Sequence, residues 1–121
     1  MNARALDSLM RDKAAGDELG KVLGKTSAEL RAFRPGGSSG PIKGFLYIGP
    51  NAFAFVADNR IFQAAEPGDS TRVLIVPYAD CRVSSMLSAR FAPNATLELD
   101  GIGTLMGRRK EIRMLASCLA T

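Results

Sequence analysis

Between Lys43 and Met106 the apolar residues come in short runs separated by turn residues. Gly44-Phe-Leu-Tyr-Ile-Gly49 is one run. Pro50-Asn51 breaks it, and Ala52-Phe-Ala-Phe-Val-Ala57 follows with large and small side chains in alternation. A strand sends successive side chains to opposite faces, so this order predicts Phe53 and Phe55 on one face and Ala52, Ala54 and Val56 on the other. Two apolar runs joined by Gly49-Pro50-Asn51 read as a hairpin. Further strands are predicted over residues 61–64, 72–76, 81–87, 95–99 and 102–106, with Val83 and Leu87 sharing a face of the fifth. Asp58-Asn59 and residues 66–70 carry turn and loop composition. Asp100-Gly101 is the strongest hairpin signal in the chain.

The period then changes. Ile112, Leu115 and Leu119 recur at helical spacing beside Ala116, with Arg108, Arg109, Lys110 and Arg113 mostly off that stripe. About seven short strands followed by one amphipathic helix predict an α+β domain whose open face the helix covers.

Ahead of the strands, residues 3–33 read as helical. Leu6, Leu9 and Met10 form one apolar patch, and Leu19, Val22 and Leu23 a second beyond an interruption at Ala14-Ala15-Gly16-Asp17. Thr26 with Glu29 fits a capping box for a third short helical piece. Arg34-Pro-Gly-Gly-Ser-Ser-Gly-Pro41 has linker composition. The expected organisation is a helical N-terminal arm over 1–34, a linker over 35–41 and a strand domain with its C-terminal helix over 42–121. The spaced aliphatic pairs favour docking of the arm, on its own domain or on a partner's, over a free coil.

The chain has 121 residues, enough for a core that needs no disulfide or metal staple. Cys81 and Cys118 make neither a disulfide framework nor a zinc site and read as reduced thiols. With no histidine, Ser-His and Cys-His nucleophile systems and imidazole metal ligands are excluded. The carboxylates fall mostly in turns or on outward strand positions, and Asp80 is the one of interest. Gly20-Lys-Val-Leu-Gly24-Lys25-Thr26 approximates a phosphate-binding loop but has three residues between its glycines where four are needed, and reads as a helix stop and cap. No catalytic residue, cofactor or metal is expected. The absence of a signal-like or membrane-length apolar segment sets a cytoplasmic expectation.

The net charge is +4, with an isoelectric point near 9.4. Residues 35–99 balance at five charges of each sign, so the excess lies at the two ends. Arg108, Arg109, Lys110 and Arg113 gather at the start of the last helix, where positive charge opposes the helix dipole. They are the candidate anion-binding residues, toward an acidic protein surface, a nucleic acid or an anionic membrane.

Asp58-Asn59-Arg60-Ile61-Phe62, and later Val73-Leu-Ile-Val-Pro77-Tyr78-Ala79-Asp80-Cys81-Arg82-Val83, resemble the strand pattern of small bacterial pleckstrin-homology-like (PH-like) domains. The resemblance spans about residues 42 to 120, with Cys81 where an isoleucine or valine is usual. It implies a partly open seven-stranded barrel capped by the C-terminal helix, and a non-enzymatic module that binds proteins along a sheet edge or beside that helix. In that family an aspartate at the place of Asp80 helps fix the turn into the next strand. Lipid-binding members carry basic residues around the first hairpin. Here Gly49-Pro50-Asn51 is taken as that loop and Lys43 is the sole basic residue on its strand, so no specific phosphoinositide site is expected. Self-association through Leu6, Leu9 and Met10 is the expected use of the arm.

Overall fold

The structure, a computed structural model, describes residues 3–32, 41–57, 73–89 and 91–120, with the side chains of residues 3–8 and 32 outside the description. Helix α1 (Ala3–Leu19) leads into β1 (Gly24–Ala32), β2 (Ile42–Ile48), β3 (Ala52–Ala57) and β4 (Val73–Pro77). After a single 3-10 turn at Tyr78–Asp80 come β5 (Val83–Leu87), β6 (Asn94–Leu99), β7 (Gly103–Arg108) and helix α2 (Arg109–Ala120). The strands form one antiparallel sheet in the order β4-β3-β2-β1-β7-β6-β5.

That order forces the sheet to curl. β4 and β5 are its two edges, yet the chain crosses between them from Pro77 to Val83. Six residues reach at most about 20 Å, whereas the edges of a flat sheet of this width lie about 29 Å apart. The result is a half-barrel with α2 across its inner face.

The inner face holds the main core. Phe53 and Phe55 of β3 pack there with Leu46 and Ile48 of β2, Leu97 and Leu99 of β6 and Leu105 of β7, and Ile112 and Leu115 of α2 close it. Ala54 and Val56 face the other way and form a second cluster with Tyr47 and with Ala15 and Leu19 of α1. The alternation in residues 52–57 thus predicts both faces correctly. Gly44 is needed beside Phe55, because an added Cβ would overlap the Val56 carbonyl oxygen. The Asp100-Gly101 hairpin joins β6 to β7, with Gly101 at a φ of 75° that favours glycine. The Gly49–Ala52 hairpin closes through the Gly49 N–H donating to the Ala52 carbonyl at 2.9 Å.

The N-terminal third differs from its sequence reading. Residues 3–19 are one helix, without a break at Ala14–Asp17. Residues 24–32 are a strand rather than a capped helical piece, and that strand lies at the centre of the sheet, between β2 and β7. Thr26, Ala28 and Leu30 are buried, while Lys25, Ser27 and Arg31 are exposed. The period is two, but the inward residues Thr26 and Ala28 are too small to stand out as an apolar run. Thr26 caps nothing: its Oγ1 accepts the Arg108 N–H at 3.3 Å. Strands β1 and β2 therefore pair across residues 33–40, and the expected linker joins two neighbouring strands. Gly49-Pro50-Asn51 is accordingly the second hairpin, not the first. The first connection, the strand expected at 61–64, the turn at 58–59 and the loop at 66–70 lie outside the described residues.

Helix α1 docks on its own sheet. Besides Ala15 and Leu19, it is held by Asp12, whose Oδ1 accepts hydrogen bonds from the Tyr47 hydroxyl and the Lys25 ammonium, both at 2.7 Å. Arg11 lies over the Phe45 ring, 4.1 Å from its centroid. Burial pushes the Asp12 carboxyl up, but the hydrogen bonds from Lys25 and Tyr47 outweigh it and leave the group below the ordinary carboxylate range. Burial, then the Asp12 bond, raise the Tyr47 hydroxyl well above its ordinary value.

Candidate functional site

Two features of the described surface stand side by side. One is the edge strand β5. All five of its residues are exposed, Leu87 at 73% and Met86 at 43%. Among the described residues nothing pairs with its outer side. An unpaired edge offers a row of backbone N–H and C=O groups to another extended chain. The strand carries neither lysine nor proline, two residues that commonly block such edges. Its serines are used inward, toward β6: Ser84 donates to Asp100 Oδ1, and Ser85 to Glu98 Oε2 at 2.9 Å.

A register shift between Val83 and Ser85 corrects the sequence reading of this strand. Val83 pairs with Leu99, on the inner face, whereas Leu87 pairs with Thr96, on the outer one. A bulge adds one residue to the period of two and so moves Leu87 to the opposite face from Val83.

The second feature is the basic start of α2. Arg109 and Arg113 are one helical turn apart and share a side of the helix, and Lys110 stands next to Arg109 in the chain. All three line an open depression of about 510 Å³. The Arg109 N–H donates to the Pro93 carbonyl at 3.0 Å, which fixes the helix start, and its Nε donates to Ser88 Oγ at 3.1 Å. Ser88 directly follows β5, so the basic depression borders the C-terminal end of the edge strand. Lys110 and Arg113 are exposed. Glu111 is buried, and among the described residues its Oε2 has no hydrogen-bond partner.

The structure brings three of the four expected anion-binding residues together. Arg108 is the exception. It ends β7 opposite Asn94 and precedes the helix. Of the expected interface residues, Leu9 and Met10 are exposed on α1, at 53% and 61%; the side chain of Leu6 lies outside the described residues. Asp80 is exposed in the 3-10 turn. The turn is anchored instead by Tyr78, whose hydroxyl donates to the Gly49 carbonyl at 2.7 Å. Burial, followed by nearby Cys118, raises the Tyr78 hydroxyl well above its ordinary value. Cys81 is a buried thiol, pushed up by burial and then by Asp100.

Strand β5 as an edge was not legible in the sequence, because edge position depends on strand order. Composition carries no signal for it: Val83-Ser-Ser-Met-Leu87 has three apolar residues in five, as many as Ala95–Leu99.

A second depression, of about 430 Å³, lies on the outer face between Glu29, Lys43, Phe45 and Met106. No group of three or more histidine, cysteine or acidic side chains able to hold a metal occurs among the described residues. Nor, among them, is any helix long and apolar enough to cross a membrane.

No family model matches the chain, and neither does any curated protein. Among solved structures, the chain is similar to the C-terminal domain of an unknown protein from Leishmania infantum, with a TM-score of 0.54 and 13% identity over 96% of this chain and 99% of that one. At that identity the likeness is one of fold. It covers α1 and β1 as well as the later strands, so the N-terminal helix and the sheet belong to a single architecture.

Proposed function

We propose that the protein is a PH-like, non-enzymatic binding module that takes an extended segment of another protein as an added strand on β5. The observation that carries this reading is the exposed, unpaired edge of β5 beside an open groove at the start of α2. Strand order and the capping helix agree with the PH-like arrangement expected from the sequence. Main-chain hydrogen bonds along such an edge supply affinity, and neighbouring side-chain pockets supply selectivity. The half-barrel interior is filled by Phe53, Leu46, Leu97, Leu105 and Leu115, and both depressions described above are open ones, which favours binding over catalysis. Exposed Leu9 and Met10 leave α1 able to add a contact between copies.

The basic depression supports a second reading, an electrostatic binder of nucleic acid or anionic membrane through Arg109, Lys110 and Arg113. One experiment separates the two. Tagged protein is passed through lysate of the source cell and washed first in low and then in high salt, beside Met86→Asp and Lys110→Glu/Arg113→Glu variants. A discrete protein that survives the wash and is lost with Met86→Asp supports edge binding. Material held only at low salt and lost with the charge-reversal variant supports the electrostatic reading.

A further inference from the structure

The edge and the basic depression together specify more than a site. We infer that the segment pairing with β5 runs antiparallel to it and is acidic at its N-terminal end, with its apolar residues following. This rests on the proposed pairing at β5 and adds the partner's chemistry and direction.

Charge along the edge is polarised. At the C-terminal end of β5, Ser88 Oγ holds the Arg109 guanidinium, with Lys110 and Arg113 exposed around the same depression. At the N-terminal end exposed Asp80 and Asp100 stand beside exposed Arg82, with Asp100 tied to the strand by its own N–H donating to the Arg82 carbonyl at 2.9 Å and by accepting from Ser84. Next to that basic end the strand offers Leu87 on the outer face and Met86 on the inner one, both exposed and apolar. A ligand strand that matches this edge is acidic beside Ser88 and apolar along Met86 and Leu87. Antiparallel pairing is the more stable per residue. In that direction, the ligand residues beside Ser88 are its first ones.

The test uses the full chain, isotopically labelled, with backbone amide shifts followed by NMR during titration. The probes are end-capped synthetic octapeptides. The first has three glutamates followed by alternating valine and threonine. The second is its exact reversal, the third has lysine for glutamate, and the fourth repeats the first with N-methylated valines. The glutamate-first peptide is expected to shift amides 83–88 and 109–113 and to bind about tenfold tighter than its reversal, the size that a few exposed ion pairs supply. The charge-reversed Lys110→Glu/Arg113→Glu protein is expected to lose that preference while still shifting amides 83–87. If the reversed or the lysine peptide binds as tightly to the unaltered chain, at shifted β5 amides, the direction or the acidity is overturned and edge pairing stands. If no peptide moves amides 83–87, or the N-methylated one binds as well as the first, edge pairing itself is overturned.

Discussion

The two helices pack on opposite faces of one sheet and do so in different ways. Helix α2 inserts Ile112 and Leu115, both fully buried, into the half-barrel beside Phe53 and Phe55. Among its described side chains, helix α1 offers Ala15 as the fully buried one, with Leu19 half-buried, and lies on Ala54 and Val56. Asp12 adds hydrogen bonds from Tyr47 and Lys25 to those apolar contacts. The difference comes from β3, which turns its large side chains toward α2 and its small ones toward α1. Deep packing makes α2 part of the core. The shallow, polar seat of α1 makes it a helix held on by a few identifiable contacts.

The contrast can be broken first at α2. Leu115→Ala removes a fully buried side chain and is expected to cost about 2–5 kcal/mol in urea unfolding. A loss below about 1 kcal/mol would mean that the inner face closes without it.

A smaller effect is expected at the seat of α1. Tyr47→Phe removes the hydroxyl that donates to Asp12 and should cost about 1 kcal/mol, with α1 amides losing hydrogen-exchange protection before those of α2. The Asp12 carboxyl supplies a pH signature. Its value in the folded chain lies below the ordinary 3.8, so its contribution is fully present above that pH and is lost as pH falls through the folded value. The stability gap between the native chain and Asp12→Asn should therefore stay constant from neutral pH down to about 4 and shrink below it. A gap unchanged in strong acid would remove Asp12 from this role.

The smallest effect has the opposite sign. Lys110 and Arg113 stand in the first turns of α2, and there positive charge opposes the helix dipole. Lys110→Glu and Arg113→Glu should each raise stability by a few tenths of a kcal/mol, read as a higher thermal midpoint. A lower midpoint would show that these residues hold the fold together and would weaken the case that they face a partner.

The parts of the fold with a distinct local signal were legible in the chain. Large-small alternation over 52–57 marked both faces of β3, Asp100-Gly101 marked the β6–β7 hairpin, and Ile112 with Leu115 marked the buried stripe of α2. The basic cluster was legible for the same reason, since Arg109, Lys110 and Arg113 are near neighbours in the chain. Local order dictated these features because strand alternation, turn geometry and helical spacing act over a few residues.

Tertiary structure decided the rest. Thr26, Ala28 and Leu30 became the centre of the sheet because β2 and β7 pair on either side of them, and their modest side chains fit a helix cap equally well in isolation. Leu87 moved to the outer face because a bulge shifted its register against β6. β5 became an edge, and Arg109 came to rest beside Ser88, only when the curl of seven strands set both in place. Pairing partners, bulges and edges depend on contacts between distant segments, and hydrophobic period alone carries no record of which segments meet.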